Sequence, residues 1–80
     1  MQKRGPLNQR LGTNLRAIRL ERGFTQETWA EHLGYDRTYV ASLERGERNM
    51  SLDSLTALAE KLGIEPLSLL ADPSTPRSGD

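Results

Sequence analysis

Cysteine is missing from all 80 residues. That excludes a disulfide scaffold and a cysteine-ligated zinc finger, and it suits a reducing cytosol. No run approaches the roughly 18 apolar residues a membrane helix needs, and the charges at the N-terminus have no apolar segment behind them, so neither a span nor a secretory signal is expected. Aromatics are scarce, with one Trp, one Phe and two Tyr. The single histidine, His32, has no partner ligands, so no metal site is expected. No Ser/His/Asp set, catalytic carboxylate pair or Gly-rich phosphate loop occurs, so an enzyme is not expected, and neither a cofactor nor a small-molecule ligand is implied.

Excess charge is also lacking: 11 Lys and Arg balance 11 Asp and Glu. The distribution is uneven. Residues 1–22 hold six bases and one acid (+5), residues 23–48 three bases and five acids (−2), and residues 49–80 two bases and five acids (−3). One basic and one acidic side are therefore available, which suits a polyanion on one face only.

What is present is helical punctuation. The chain divides into a flexible N-terminal arm (residues 1–6), one domain (7–71) and a disordered tail (72–80). A first helix is expected from Asn8 to Arg22, with Leu7, Leu11, Leu15 and Ile18 on one face and Gly12 costing about 1 kcal/mol relative to Ala. Thr25 caps a second helix with Trp29, Ala30 and Leu33 inward, and Gly34 breaks it. Asp36 caps a third from Arg37 to Arg45. Ser51 caps a fourth from Leu52 to Leu62, with Leu52, Leu55, Leu58, Ala59 and Leu62 inward. Pro66 opens a short fifth through Leu70. The expected fold class is all-α, with five helices.

Residues 26–45, QETWAEHLGYDRTYVASLER, read as two short helices joined at Gly34, with small Ala30 allowing a close crossing. Val40 and Leu43 face inward. The other side of the third helix carries Arg37, Thr38, Ala41, Ser42 and Arg45, a short-chained polar face that fits a major groove. Arg37 suits guanine or phosphate. Thr38 and Ser42 suit base edges or phosphate. Tyr39 lies on the flank, either as a contact or as packing between helices. Gln26 sits at a helix N-terminus, where backbone N–H groups favour phosphate.

These features resemble the helix-turn-helix domain of Cro, the phage lambda and 434 repressors and the xenobiotic-response-element-type regulators. The matching parts are R-x-x-R-G-x-T-Q (Arg19 to Gln26), Ala30, Gly34 and S-x-x-R-G-x-R-N (Ser42 to Asn49). The stretch DRTYVASLERGERN is similar to restriction–modification controller proteins. The resemblance implies a lambda-repressor-like fold and a cytoplasmic, nucleoid-associated bacterial regulator binding pseudo-palindromic double-stranded DNA as a homodimer. It implies phosphate contact by Gln26, base contact by Arg37, Thr38 and Ser42, backbone contact by Arg45, Arg48 and Asn49, and an ion pair of Arg19 with Glu44. Acidic Glu27 and Glu31 match either a contact to the RNA polymerase sigma subunit or a solvated face. Trp29 departs from the family's usual Leu. An antitoxin, a phage-type repressor and a protein-interaction module without DNA binding remain alternatives.

A pair of copies is expected because one unit spans too few base pairs for useful specificity. Leu52, Ile64, Leu67, Leu69 and Leu70 are the candidate dimer surface, or else they complete the monomer's own core.

Overall fold

The computed structural model describes residues 5–74, so the expectations for residues 1–4 and 75–80 lie outside the described residues. Four α-helices form: α1 (Pro6–Glu21), α2 (Gln26–Leu33), α3 (Arg37–Glu44) and α4 (Leu52–Leu62). The fifth expected helix is a 3-10 turn, Pro66–Leu70. Five residues, the first a proline, are too few for an α-helical ladder, and the Ser68 amide bonds back to the Glu65 carbonyl three residues away. The described residues contain no strand.

Helix starts follow local chemistry. Pro6, inside the stretch expected to be an arm, occupies the first position of α1, where its missing N–H costs nothing. Thr25 and Thr28 cap α2 reciprocally: the Thr25 hydroxyl accepts from the Thr28 amide at 3.1 Å, and the Thr28 hydroxyl accepts from the Thr25 amide at 3.0 Å. Asp36 accepts from the Thr38 amide and Ser51 from the Ser54 amide, each at 3.0 Å. At the other end of α2, Gly34 takes a left-handed φ of 77°, turning the chain into α3.

The core gathers Leu11, Leu15 and Ile18 from α1, Trp29, Ala30 and Leu33 from α2, Val40 and Leu43 from α3, and Leu55, Leu58, Ala59 and Leu62 from α4. Leu69 from the 3-10 turn completes it. Trp29 is fully buried beside Phe24, ring centroids 4.9 Å apart, and its indole nitrogen has no hydrogen-bond partner among the described residues. The larger ring therefore fills volume at the cost of one unpaired N–H.

Two expected core leucines are not in the core. Leu7 is about half exposed and Leu52 is 79% exposed. Each stands in the first turn of its helix, where the helical stripe runs past the edge of the packed interior.

Several contacts fix α1 and its C-terminal end against the rest. Gly12 lies where α1 crosses the end of α3, and a β-carbon there would stand 2.5 Å from the Glu44 carbonyl oxygen and 2.6 Å from that of Leu43. Asn14 donates to the carbonyls of Leu69 and Ala71, both at 2.9 Å, tying the 3-10 turn to α1. Arg22 donates to the Leu62 carbonyl at 3.0 Å, satisfying the end of α4.

Candidate nucleic-acid interface

The α2–turn–α3 unit leaves one side of α3 open. Arg37 and Thr38 are exposed at its N-terminal end, while Val40 and Leu43 are buried behind them. Arg37 and Gln26 line the same open cleft, together with Thr25 and Glu27 from the start of α2. Two helix starts thus present a guanidinium, an amide and free backbone N–H groups to one side, an arrangement chemically fit for a phosphate-bearing ligand.

Behind that surface lies a charged network. Arg19 forks onto Glu44, Nε to Oε2 at 2.7 Å and Nη2 to Oε1 at 3.1 Å, and its Nη1 donates to the Phe24 carbonyl at 3.0 Å. The side chains of this pair are only 10% and 3% exposed. Gln26 joins it: its amide nitrogen donates to Glu44 Oε1 at 3.1 Å, so the ion pair joining α1 to α3 also fixes the amide at the head of α2.

The residues following α3 form a second cluster. Arg48 is exposed, and its guanidinium stands 5.1 Å from the centre of the Tyr39 ring. Tyr39 is half-buried and meets Tyr35 edge-on at 5.3 Å, so it both packs between elements and supports a cation. Arg45 is exposed and paired with Glu47 at 2.9 Å, and this hydrogen bond raises its pKa above the ordinary arginine value. Asn49 accepts a hydrogen bond from the Asn8 side chain.

Ser42 does not lie on the open face. It is 7% exposed; its hydroxyl donates to the Tyr39 carbonyl at 2.8 Å and accepts from Arg48 Nε at 3.0 Å. Helical spacing places it one turn beyond Thr38, but the chain after Gly46 folds back over it, and that return is invisible to a helical projection. Asn8 and Glu47, which hold Asn49 and Arg45, were not among the expected site residues. Asn8 has no local signal, being 41 residues away in sequence from its partner.

The apolar candidates also separate. Leu52 and Leu67 are 79% and 76% exposed, Ile64 and Leu70 are half-buried against the core, and Leu69 is fully buried. Leu69 therefore belongs to the monomer's interior. In a 3-10 turn, residues three apart eclipse one another, so Leu69 falls in line with Pro66 rather than with Leu67 or Leu70. Glu27 and Glu31 are exposed one turn apart on α2.

No helix among the described residues is long and apolar enough to cross a membrane. Residues 15–69 match the helix-turn-helix family profile. A hypothetical transcription factor from Neisseria meningitidis serogroup B is 38% identical over 63 residues, covering 79% of this chain and 59% of that protein. The structure of the restriction–modification controller protein C.AhdI from Aeromonas hydrophila superposes with a TM-score of 0.66 at 45% identity, covering 78% of this chain and 94% of that one. The controller protein C.Esp1396I, solved as a tetramer with its natural 35 base-pair operator, superposes with a TM-score of 0.65 at 33% identity, covering 79% and 83%.

Proposed function

This chain belongs to the helix-turn-helix family, and on that premise we propose that it is a sequence-specific transcriptional regulator, a restriction–modification controller that binds inverted operator half-sites as a homodimer and governs its own operon. The observation that carries this reading is the exposed N-terminal end of α3, where Arg37 and Thr38 stand clear of a helix anchored from behind. The operator-bound C.Esp1396I structure supports it.

In this reading α3 enters the major groove. Arg37 forks onto guanine O6 and N7, and Thr38 meets the neighbouring base edge. Gln26 and the α2 N-terminus take a phosphate, and Arg45, Arg48 and Asn49 take the backbone beyond. Tyr39 stands at the edge of that contact. Leu52 and Leu67, with the rims of Ile64 and Leu70, form the surface between copies. Glu27 and Glu31, exposed one turn apart on α2, offer an acidic patch to the RNA polymerase sigma subunit, with Glu27 at the rim of the cleft that Gln26 and Arg37 line. The work is done in the bacterial cytoplasm, at the nucleoid.

Selecting duplexes from a random pool with the full chain tests the reading. Two inverted half-sites about one helical turn apart are expected, and a lone half-site would refute the pairing. Titrating the selected duplex with Arg37→Ala is expected to show a loss of about 1–3 kcal/mol in specific binding with helicity unchanged. Equal affinity of variant and parent at fixed salt would overturn the assignment of α3 as the reading helix, and an affinity indifferent to salt would overturn DNA binding itself.

A further inference from the structure

Ser42 is a polar side chain on the recognition helix, yet its hydrogen-bonding capacity is turned inward. Its one proton goes to the Tyr39 carbonyl, and one of its two lone pairs receives Arg48 Nε. Contact with a base edge requires breaking at least one of these bonds or uncovering a hydroxyl that Arg48 shields. Arg48 is held twice, through Nε and through its face on the Tyr39 ring. Its two terminal nitrogens make no hydrogen bond within the described residues. A free arginine side chain loses rotamer entropy when it is fixed on a ligand, and one already fixed loses less.

We propose that Ser42 is a positioning residue for DNA recognition: it holds Arg48 against the Tyr39 ring, with the guanidinium aimed outward beyond the end of α3, and does not itself touch the duplex. This rests on the DNA-binding reading given above. It assigns the serine of the S-x-x-R-G-x-R-N motif to the arginine six residues later rather than to a base.

A double-mutant cycle on the full chain with the parent-selected duplex tests it, using Ser42→Ala, Arg48→Ala and the pair. Ser42→Ala is expected to weaken binding about fivefold, the scale of one oriented hydrogen bond, and Arg48→Ala about tenfold or more. In the Arg48→Ala background the serine substitution is expected to change affinity less than about twofold. A serine that touches DNA itself keeps its about fivefold effect in that background, and this result overturns the proposal. A second readout needs no DNA: the Arg48 Nε–H resonance of the free protein should be ordered and protected in the parent, and averaged in Ser42→Ala. A mobile Arg48 Nε–H in the parent also overturns the proposal. If the parent selects no duplex at all, the DNA-binding reading fails, a result distinct from additivity in the cycle. Thermal unfolding of Ser42→Ala checks that lost binding is not lost fold, and Arg48→Lys, a change at an exposed side chain, should reproduce the insensitivity to Ser42→Ala because lysine has no Nε–H to place.

Discussion

The two ends of α3 differ more than their shared eight residues suggest. At the N-terminal end, Arg37 and Thr38 are exposed, and beyond the Asp36 cap little holds them. At the C-terminal end everything is tied: Ser42 is covered, Leu43 is buried, and Glu44 accepts from both Arg19 and Gln26 while α1 crosses at Gly12. A helix of about two turns has little stability of its own. Its open end is useful only because the closed end fixes where that open end points. Stability and recognition are therefore separable along one short helix, and substitutions at its two ends should fail in different ways.

The sharpest break of that contrast is Glu44→Ala. It leaves Arg19 buried without its counter-charge and Gln26 without its acceptor, and a loss of about 3–5 kcal/mol is expected by urea unfolding. Arg37→Ala, by contrast, should lie within about 0.5 kcal/mol of the parent in the same measurement. Similar losses from both variants would mean that the two ends of α3 share one structural role. Glu44→Gln keeps an acceptor for both partners and should fall between them.

A smaller effect with a decisive sign is expected at Gly12. Helix propensity alone makes Gly12→Ala stabilising by about 1 kcal/mol. The β-carbon, however, meets two backbone carbonyls that cannot rotate away, at 2.5 and 2.6 Å, and overpacking of this kind costs about 3 kcal/mol. A net loss of about 2 kcal/mol follows from the two terms. A thermal unfolding midpoint above that of the parent would show that α1 and α3 are free to separate.

Gly12 also marks how far the sequence could be read. A glycine inside a helical pattern registers locally as a cost; its reason lies in carbonyls more than 30 residues away. The caps at Thr25, Asp36 and Ser51 were legible because each acts on an amide two or three residues on. The inward faces of α2 and α3 were legible because helical period and burial coincide there. Leu7 and Leu52 show where that logic stops, since periodicity gives direction but not how far the core extends. Ser42 shows a second limit, because its cover comes from a returning loop. Leu69 shows a third, because the turn that carries it follows a period of three.

The smallest effect concerns the turn that feeds the open end of α3. Tyr35 is partly buried there, edge-on to Tyr39 and 5.4 Å beneath the Lys61 ammonium. Burial first, and repulsion from Tyr39 second, raise its pKa above the ordinary 10.0. The folded state therefore holds the phenol proton more tightly than the unfolded chain does. The resulting contribution is fully present below about pH 10 and is lost as pH rises through the higher folded value. Tyr35→Phe removes the acid and keeps the ring against both neighbours. Urea unfolding at neutral pH should then place variant and parent within about 0.5 kcal/mol of each other, whereas above about pH 10 the parent should lose stability more steeply. Parallel pH curves would mean that the Tyr35 hydroxyl is solvated, and that the support under the start of α3 is looser than its closed end requires.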